Sequence, residues 1–169
     1  MKLFYTGPAT ADLHENYAKR GLIDQNAPVR SASTIEIDAP VATVWQLIAD
    51  MRDWPAWRTD AHVTEIGNIE VDAEFRWVLN GMRIKAVFAT VDPEREIAWT
   101  GVAFGCMRAI DRMRFEALGE NRTRVTMEES LAGPLLSSFF TSEKLRAGHE
   151  QMLNQLKTAA ESVPTLSRA

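Results

Sequence analysis

The chain has 169 residues, 46% hydrophobic and 25% charged, with a net charge of -4, which describes one globular domain with a real core and no disordered or fibrous bias. The acidic balance argues against a dedicated nucleic-acid binder, and the single Cys106 can form neither an internal disulfide nor a CxxC motif. No apolar run approaches the ~18 residues of a membrane span, and the opening segment breaks at Gly7-Pro8 before a signal-peptide core develops, so no stable membrane insertion and a cytoplasmic location are expected.

Residues 1–30 read as an N-terminal extension: Thr10 is a candidate cap for a short helix in which Leu13 and Tyr17 share a face. Patterning sharpens at Ser33. "STIEID" alternates Ile35 and Ile37 against Thr34, Glu36 and Asp38, the mark of a strand with one buried face. Asp38 precedes Ala39-Pro40, which predicts a helix start with Asp38 accepting from the free amides. Val41, Val44, Trp45 and Ile48 then form one apolar stripe, ended by a turn bearing Asp53, Trp54, Pro55 and Trp57.

Six more strands are predicted: 61–66, 73–79, 82–91, 96–101, about 104–118 and 122–131. Turn signals separate them, Asn80-Gly81 being the strongest, with Asp92-Pro93 and Gly119-Glu120-Asn121 following. Consecutive hairpins imply a curved antiparallel sheet. After Gly133-Pro134 a helical run extends to about Ser162, and Leu145, His149, Met152, Leu156, Ala159 and Val163 make one apolar face. The order is satisfied by an α+β helix-grip fold: about seven strands wrapped around a long C-terminal helix, with two short helices after strand 1. The domain reading is 1–30 extension, 31–163 helix-grip domain and 164–169 tail.

The stretches "IEIDAPVATVWQLIADMRDWPAW", "EIAWTG" and "TRVTMEESLAG" before the last helix resemble the START-related (SRPBCC, helix-grip) superfamily, in its bacterial polyketide cyclase/dehydrase and lipid-transport branch. The likeness covers about residues 33 to 162. It implies an apolar tunnel between the long helix and the sheet.

Alternation supplies the lining. Met107, Ala109, Asp111, Met113 and Phe115 share one face of the long strand, and Val125, Met127, Glu129 and Leu131 one face of the last. Asp111 and Glu129 therefore point inward, where a carboxylate is costly unless paired or protonated. They either anchor a ligand or serve as general acid and base, or they form a structural pair with an arginine or sit at a wetted end of the cavity. His149 lies on the apolar face of the last helix, where it either donates to the cavity or is a satisfied core histidine. Trp77 and Trp99 occupy inward strand positions, and Phe139 precedes the last helix. The candidate ligand-binding set is thus Trp77, Trp99, Asp111, Met113, Met127, Glu129, Phe139 and His149, with no residue assigned as catalytic. Cys106 reads as a buried structural thiol.

His14 and His62 are isolated in sequence, so no metal is expected. Neither a Gly-rich phosphate loop nor a GxSxG elbow occurs, so no cofactor and no nucleophilic catalysis are expected. The expected function is binding or transport of a small hydrophobic or amphipathic ligand, lipid- or polyketide-like. The alternatives are a cofactor-independent aromatase/cyclase or dehydratase, and a protein partner met through an exposed apolar patch.

Overall fold

The computed structural model describes residues 4–163; the tail expected at 164–169 lies outside them. Seven strands, β1 (Val29–Ile37), β2 (Ala61–Ile66), β3 (Glu74–Leu79), β4 (Met82–Asp92), β5 (Glu96–Ala103), β6 (Met107–Gly119) and β7 (Arg122–Ala132), form one sheet in the order β1-β7-β6-β5-β4-β3-β2. All neighbours are antiparallel. Strands 2 to 7 follow one another as hairpins, while helix α2 (Val41–Ala49) and a 3₁₀ turn (Met51–Ala56) carry the chain from one sheet edge to the other. Irregularities at Val63/Glu65, Phe88/Thr90 and Ala117/Gly119 bend the sheet, and α3 (Ser142–Ser162) packs into the curve.

Local chemistry explains most boundaries. Asn80 (φ 48°) and Gly81 (φ 81°) are both left-handed, as a two-residue hairpin whose twist matches its strands requires. Thr141 caps α3, its hydroxyl accepting from the Lys144 amide at 3.3 Å. α3 buries Leu145, His149, Met152, Leu153, Leu156 and Ala160. Ala160 rather than Ala159 continues the face, because i+4 from Leu156 keeps the phase, and Val163 is exposed where the chain leaves the helix.

Several expectations change. β1 starts at Val29, pairing at once with Leu131. β6 starts at Met107, because Phe104 and Gly105 adopt positive φ and the Cys106 amide closes a turn on Ala103; Cys106 is consequently exposed, not buried. Asp38 does not cap α2. Its backbone amide instead takes the Glu161 carboxylate at 2.9 Å and ties β1 to α3. Thr10 opens α1 (Thr10–Asp12) from inside the helix and caps nothing. Trp45 is half-buried, edge-on to Phe115 at 5.4 Å.

The N-terminal segment is a strap across the outer face of the sheet. α1 runs on through a π turn (Leu13–Tyr17) and a 3₁₀ turn (Ala18–Arg20) to Gly21, burying Leu13 and Ala18 against Ala89 and Ile110. Gly21 is required on two counts: its φ is 67°, and a Cβ there would meet the Arg112 guanidinium at 2.9 Å. His14 bridges Thr100 (3.0 Å) and Asp72 (2.8 Å), the Asp24 amide donates to Ser130 Oγ, and Arg108 holds the carbonyls of Thr6, Gly7 and Pro8. His14, Glu15 and Asp72 converge, but the Lys19 ammonium already lies 2.8 Å from Glu15 and 2.7 Å from Asp72 and fills the cation's role. The strap therefore covers one transverse band of the outer face, where Ala89, Thr100, Ile110 and Ser130 of β4 to β7 are buried. Leu13→Ala should cost about 2–4 kcal/mol in urea denaturation, the range for a buried leucine; a loss under about 0.5 kcal/mol, the size of an ordinary surface effect, would mean the strap is not docked.

Candidate functional site

One transverse row of the sheet carries the chemistry. Pairing aligns Ser31 on β1 with Glu129 on β7, Glu129 with Asp111 on β6, Asp111 with Trp99 on β5, and Trp99 with Phe88 on β4. Residues opposite one another in adjacent antiparallel strands project to the same side, so the row stands as one line on the inner face. α3 lowers His149 onto it, with Nε2 2.8 Å from Glu129 Oε2. Asp111 is 5% exposed, His149 3%, and the Glu129 side chain 13%.

Burial dictates the protonation states. The Asp111 carboxyl is pushed well above its ordinary range, first by desolvation and then by the neighbouring negative charge of Glu129, while His149 and the Trp99 indole oppose the shift. Glu129 is raised to about 7, chiefly by burial, with its hydrogen bond to Asp111 pulling the other way. His149 is pushed down by burial, against the pull of Asp111. The consistent arrangement is a protonated Asp111 donating to Glu129, and one proton shared along the Glu129–His149 contact. Neither carboxyl pairs with an arginine: Arg112 points to the other face and binds Glu96 and Glu128.

Around this acid row the interior is aromatic. Trp54, Trp77 and Trp99 meet with ring centroids 5.7 to 6.4 Å apart, and Phe75 and Phe88 pack edge-on to Trp99. Met113 and Met127 lie in the same core, in the adjacent row of the sheet. These side chains line and partly fill the space beneath α3 where the resemblance implied a tunnel. An open groove of about 670 Å³ lies beside it, between α3 and the turn after α2, lined by Ala56, Trp57, Gln151, Gln155 and Ala159 among others. Contacts lead inward from that groove. Arg58, buried and doubly bonded to Asp60 at 2.9 Å, lies 5.8 Å from the Trp57 ring and 4.9 Å from Trp54, which in turn meets Trp99 beside Asp111.

The interior is polar in an unusual way. Ser31 Oγ, Trp57 Nε1, Trp77 Nε1, Trp99 Nε1, His149 Nδ1 and Gln155 Oε1 are all buried without an aligned hydrogen-bond partner. Buried polar atoms are nearly always paired, and Trp99 Nε1, though close enough to Asp111 to favour its charge, is not aligned on it.

Of the residues predicted from sequence, Trp77, Trp99, Asp111, Met113, Met127, Glu129 and His149 come together here. Phe139 does not; it is 59% exposed in the loop before α3. Ser31 and Arg58 were missed. Ser31 falls two residues before the stretch whose alternation was legible, though its parity matches Ile35 and Ile37. An arginine next to a Trp-Pro-x-Trp turn carried no sequence signal of burial.

The family model described as "Polyketide cyclase / dehydrase and lipid transport" matches residues 28–161. The chain belongs to this family. Solved structures share the helix-grip fold of this family member: hypothetical protein jhp0584 from Helicobacter pylori (16% identity, TM-score 0.70, covering 81% of this chain and 90% of that one), DynU16 of the dynemicin biosynthetic locus (20%, 0.64, 79% and 47%), and CalU16 from Micromonospora echinospora (18%, 0.58, 79% and 76%). The chain spans less than half the length of DynU16. Among curated proteins nothing matches. No helix among the described residues is long and apolar enough to cross a membrane.

A raised carboxyl makes stability pH-dependent with a definite sign. The unfolded chain releases the Glu129 proton near the ordinary value of 4.5, whereas the folded protein keeps it to about 7, so this group's contribution falls as pH rises across that window. His149, lowered by burial, acts oppositely below its unfolded value of about 6.5. Glu129→Gln, which keeps a neutral amide beside His149, should therefore raise Tm at pH 8 relative to the parent and flatten the decline between pH 5 and 7, estimates set by the ordinary and shifted carboxyl values of roughly 4.5 and 7. A parallel pH profile in thermal melts of both proteins would contradict the assignment.

Proposed function

We propose that this protein binds a small, mainly apolar molecule bearing a carbonyl or hydroxyl group, whose polar end is held at the Asp111–Glu129–His149 row. The observation that carries this is the set of buried ring nitrogens without an aligned partner, Trp99 Nε1 and His149 Nδ1 on the row and Trp77 Nε1 packed beside it, together with a carboxyl that burial keeps protonated. Indole N–H groups and a protonated carboxyl donate, and a ligand oxygen accepts. The surrounding tryptophans, phenylalanines and methionines stabilise the apolar remainder by burial. The groove beside Trp57 is within the volume range of small-molecule sites, about 300–1,000 Å³, and gives such a ligand its opening. Family membership supports a hydrophobic ligand of the lipid or polyketide kind.

A second reading has its own support. A carboxyl raised to about 7 and hydrogen-bonded to an imidazole is matched to proton transfer near neutral pH. In a cofactor-independent cyclase or dehydratase, Glu129, backed by His149, removes a proton from the carbon beside a ligand carbonyl, and Asp111 gives its proton to that carbonyl oxygen as the enol forms. The occurrence of DynU16 in a dynemicin biosynthetic locus fits such a substrate.

Native mass spectrometry followed by solvent extraction tests the first reading. A stoichiometric apolar molecule is expected on the parent protein and absent from Asp111→Ala and His149→Ala, both still folded by circular dichroism; unchanged occupancy in both variants would move the site elsewhere. For the second, exchange of deuterium from heavy water into a β-diketone should be accelerated by about 10²-fold or more, as general acid–base catalysis supplies, and lost in Glu129→Gln. Exchange that survives Glu129→Gln would exclude Glu129 as the base.

A further inference from the structure

The end of the sheet where β5 meets β6 and β7 leaves for α3 breaks a local rule twice. Among the described residues, five other than glycine have positive φ: Asp72, Asn80, Glu94, Phe104 and Leu135. Asp and Asn tolerate the left-handed region, but for a bulky apolar side chain it is strained. Strain of that kind persists when burial or a hydrogen bond offsets it. Here turn hydrogen bonds, Cys106 N–H to the Ala103 carbonyl and Ser138 N–H to the Leu135 carbonyl, hold the backbone, while the side chains gain no burial in return: Phe104 is 74% exposed and Leu135 49%.

The two turns form one surface. Gly133 packs against Met107 and the Cys106 carbonyl, so that a Cβ on it would meet them at 3.1 and 3.4 Å. Leu136, fully buried with Val29 and Leu145, anchors the second loop while its neighbours Leu135 and Phe139 point outward. Phe104, Leu135 and Phe139 thus stand exposed on turns at one end of the sheet. Cations accompany them: Lys144 Nζ donates to the Phe139 carbonyl at 3.0 Å, and Arg30 and Arg83 are exposed near the starts of β1 and β4 at this end, which also carries the exposed acid Glu143 of α3. An exposed apolar end with a basic margin suits a lipid surface better than a protein pocket.

We propose that this end of the molecule adsorbs reversibly to anionic membranes, Phe104, Leu135 and Phe139 entering the boundary between headgroups and acyl chains while Arg30, Arg83 and Lys144 meet lipid phosphates. The proposal stands without the ligand reading, and it describes a protein lying on the bilayer, not spanning it.

Co-sedimentation with vesicles tests it. The protein is expected to pellet with vesicles containing phosphatidylglycerol, to remain in solution with phosphatidylcholine alone, and to lose binding as salt rises. Lys144→Glu should weaken binding at least about fivefold, and the Phe104→Ser/Phe139→Ser double variant at least about tenfold. Phe104→Gly guards against misfolding as an explanation: it relaxes the backbone, so its Tm should equal or exceed that of the parent while its vesicle binding falls. Failure of the parent to bind phosphatidylglycerol vesicles, or unchanged binding by the double variant, would overturn the proposal. So would a dimer in sedimentation velocity that dissociates in the double variant, since the patch would then be a self-interface.

Discussion

Two carboxyls and an imidazole lie beneath the long helix in an otherwise apolar interior rich in tryptophan, phenylalanine and methionine, and much of the structure can be understood from what that demands. An isolated ion there would cost several kcal/mol, so Asp111 keeps its proton, Glu129 hovers near neutrality and His149 resists charging. Charged or neutral, their polar atoms need hydrogen-bond partners in that interior, and they find them in one another. Touching requires β6 and β7 in their observed register, since a one-residue slip would send Asp111 or Glu129 to the outer face. It also requires α3 in its observed phase, with His149 over the row.

The rest of the fold holds those two conditions. Thr141 fixes where α3 begins, and the Lys157 ammonium and Glu161 carboxylate tie its far end to the Glu36 carbonyl and Asp38 amide at the end of β1. On the outside, Arg112 bridges Glu96 and Glu128 across β5, β6 and β7, one residue from Asp111. The strap covers part of that same face. Its Leu13 and Ala18 cover Ile110, so the backbone that carries Asp111 is packed from both sides. A site that depends on placing donors within hydrogen-bond reach gains from such rigidity.

Most of this architecture was legible in the sequence because strong local signals agreed with one another. Period-two alternation placed Asp111 and Glu129 inward, Asn80-Gly81 set one hairpin register, and the apolar stripe of α3 carried His149 to the interior. Misreadings occurred where non-local partners decided the outcome. Ile110 shares its strand face with Arg108, Arg112 and Arg114, and the strap accounts for its burial. Asp38 had the residue type and position of a cap, yet α3 claimed its amide. Cys106 follows the general tendency of cysteine to be buried until Phe104 and Gly105 turn the chain outward. Trp54, buried in the turn after α2, narrows the implied tunnel because it packs between Trp77 and Arg58, contacts no local pattern encodes.

The central claim is that Asp111, Glu129 and His149 form one proton-sharing unit, and carboxyl-carbon NMR of selectively labelled protein tests it most directly. The account predicts that Glu129 titrates near neutral pH, at about 7, that Asp111 stays protonated throughout the ordinary aspartate range, and that the ring signals of His149 move together with Glu129. Independent titration of both carboxyls near 4, as expected of solvated groups, with a histidine unresponsive to either, would contradict it.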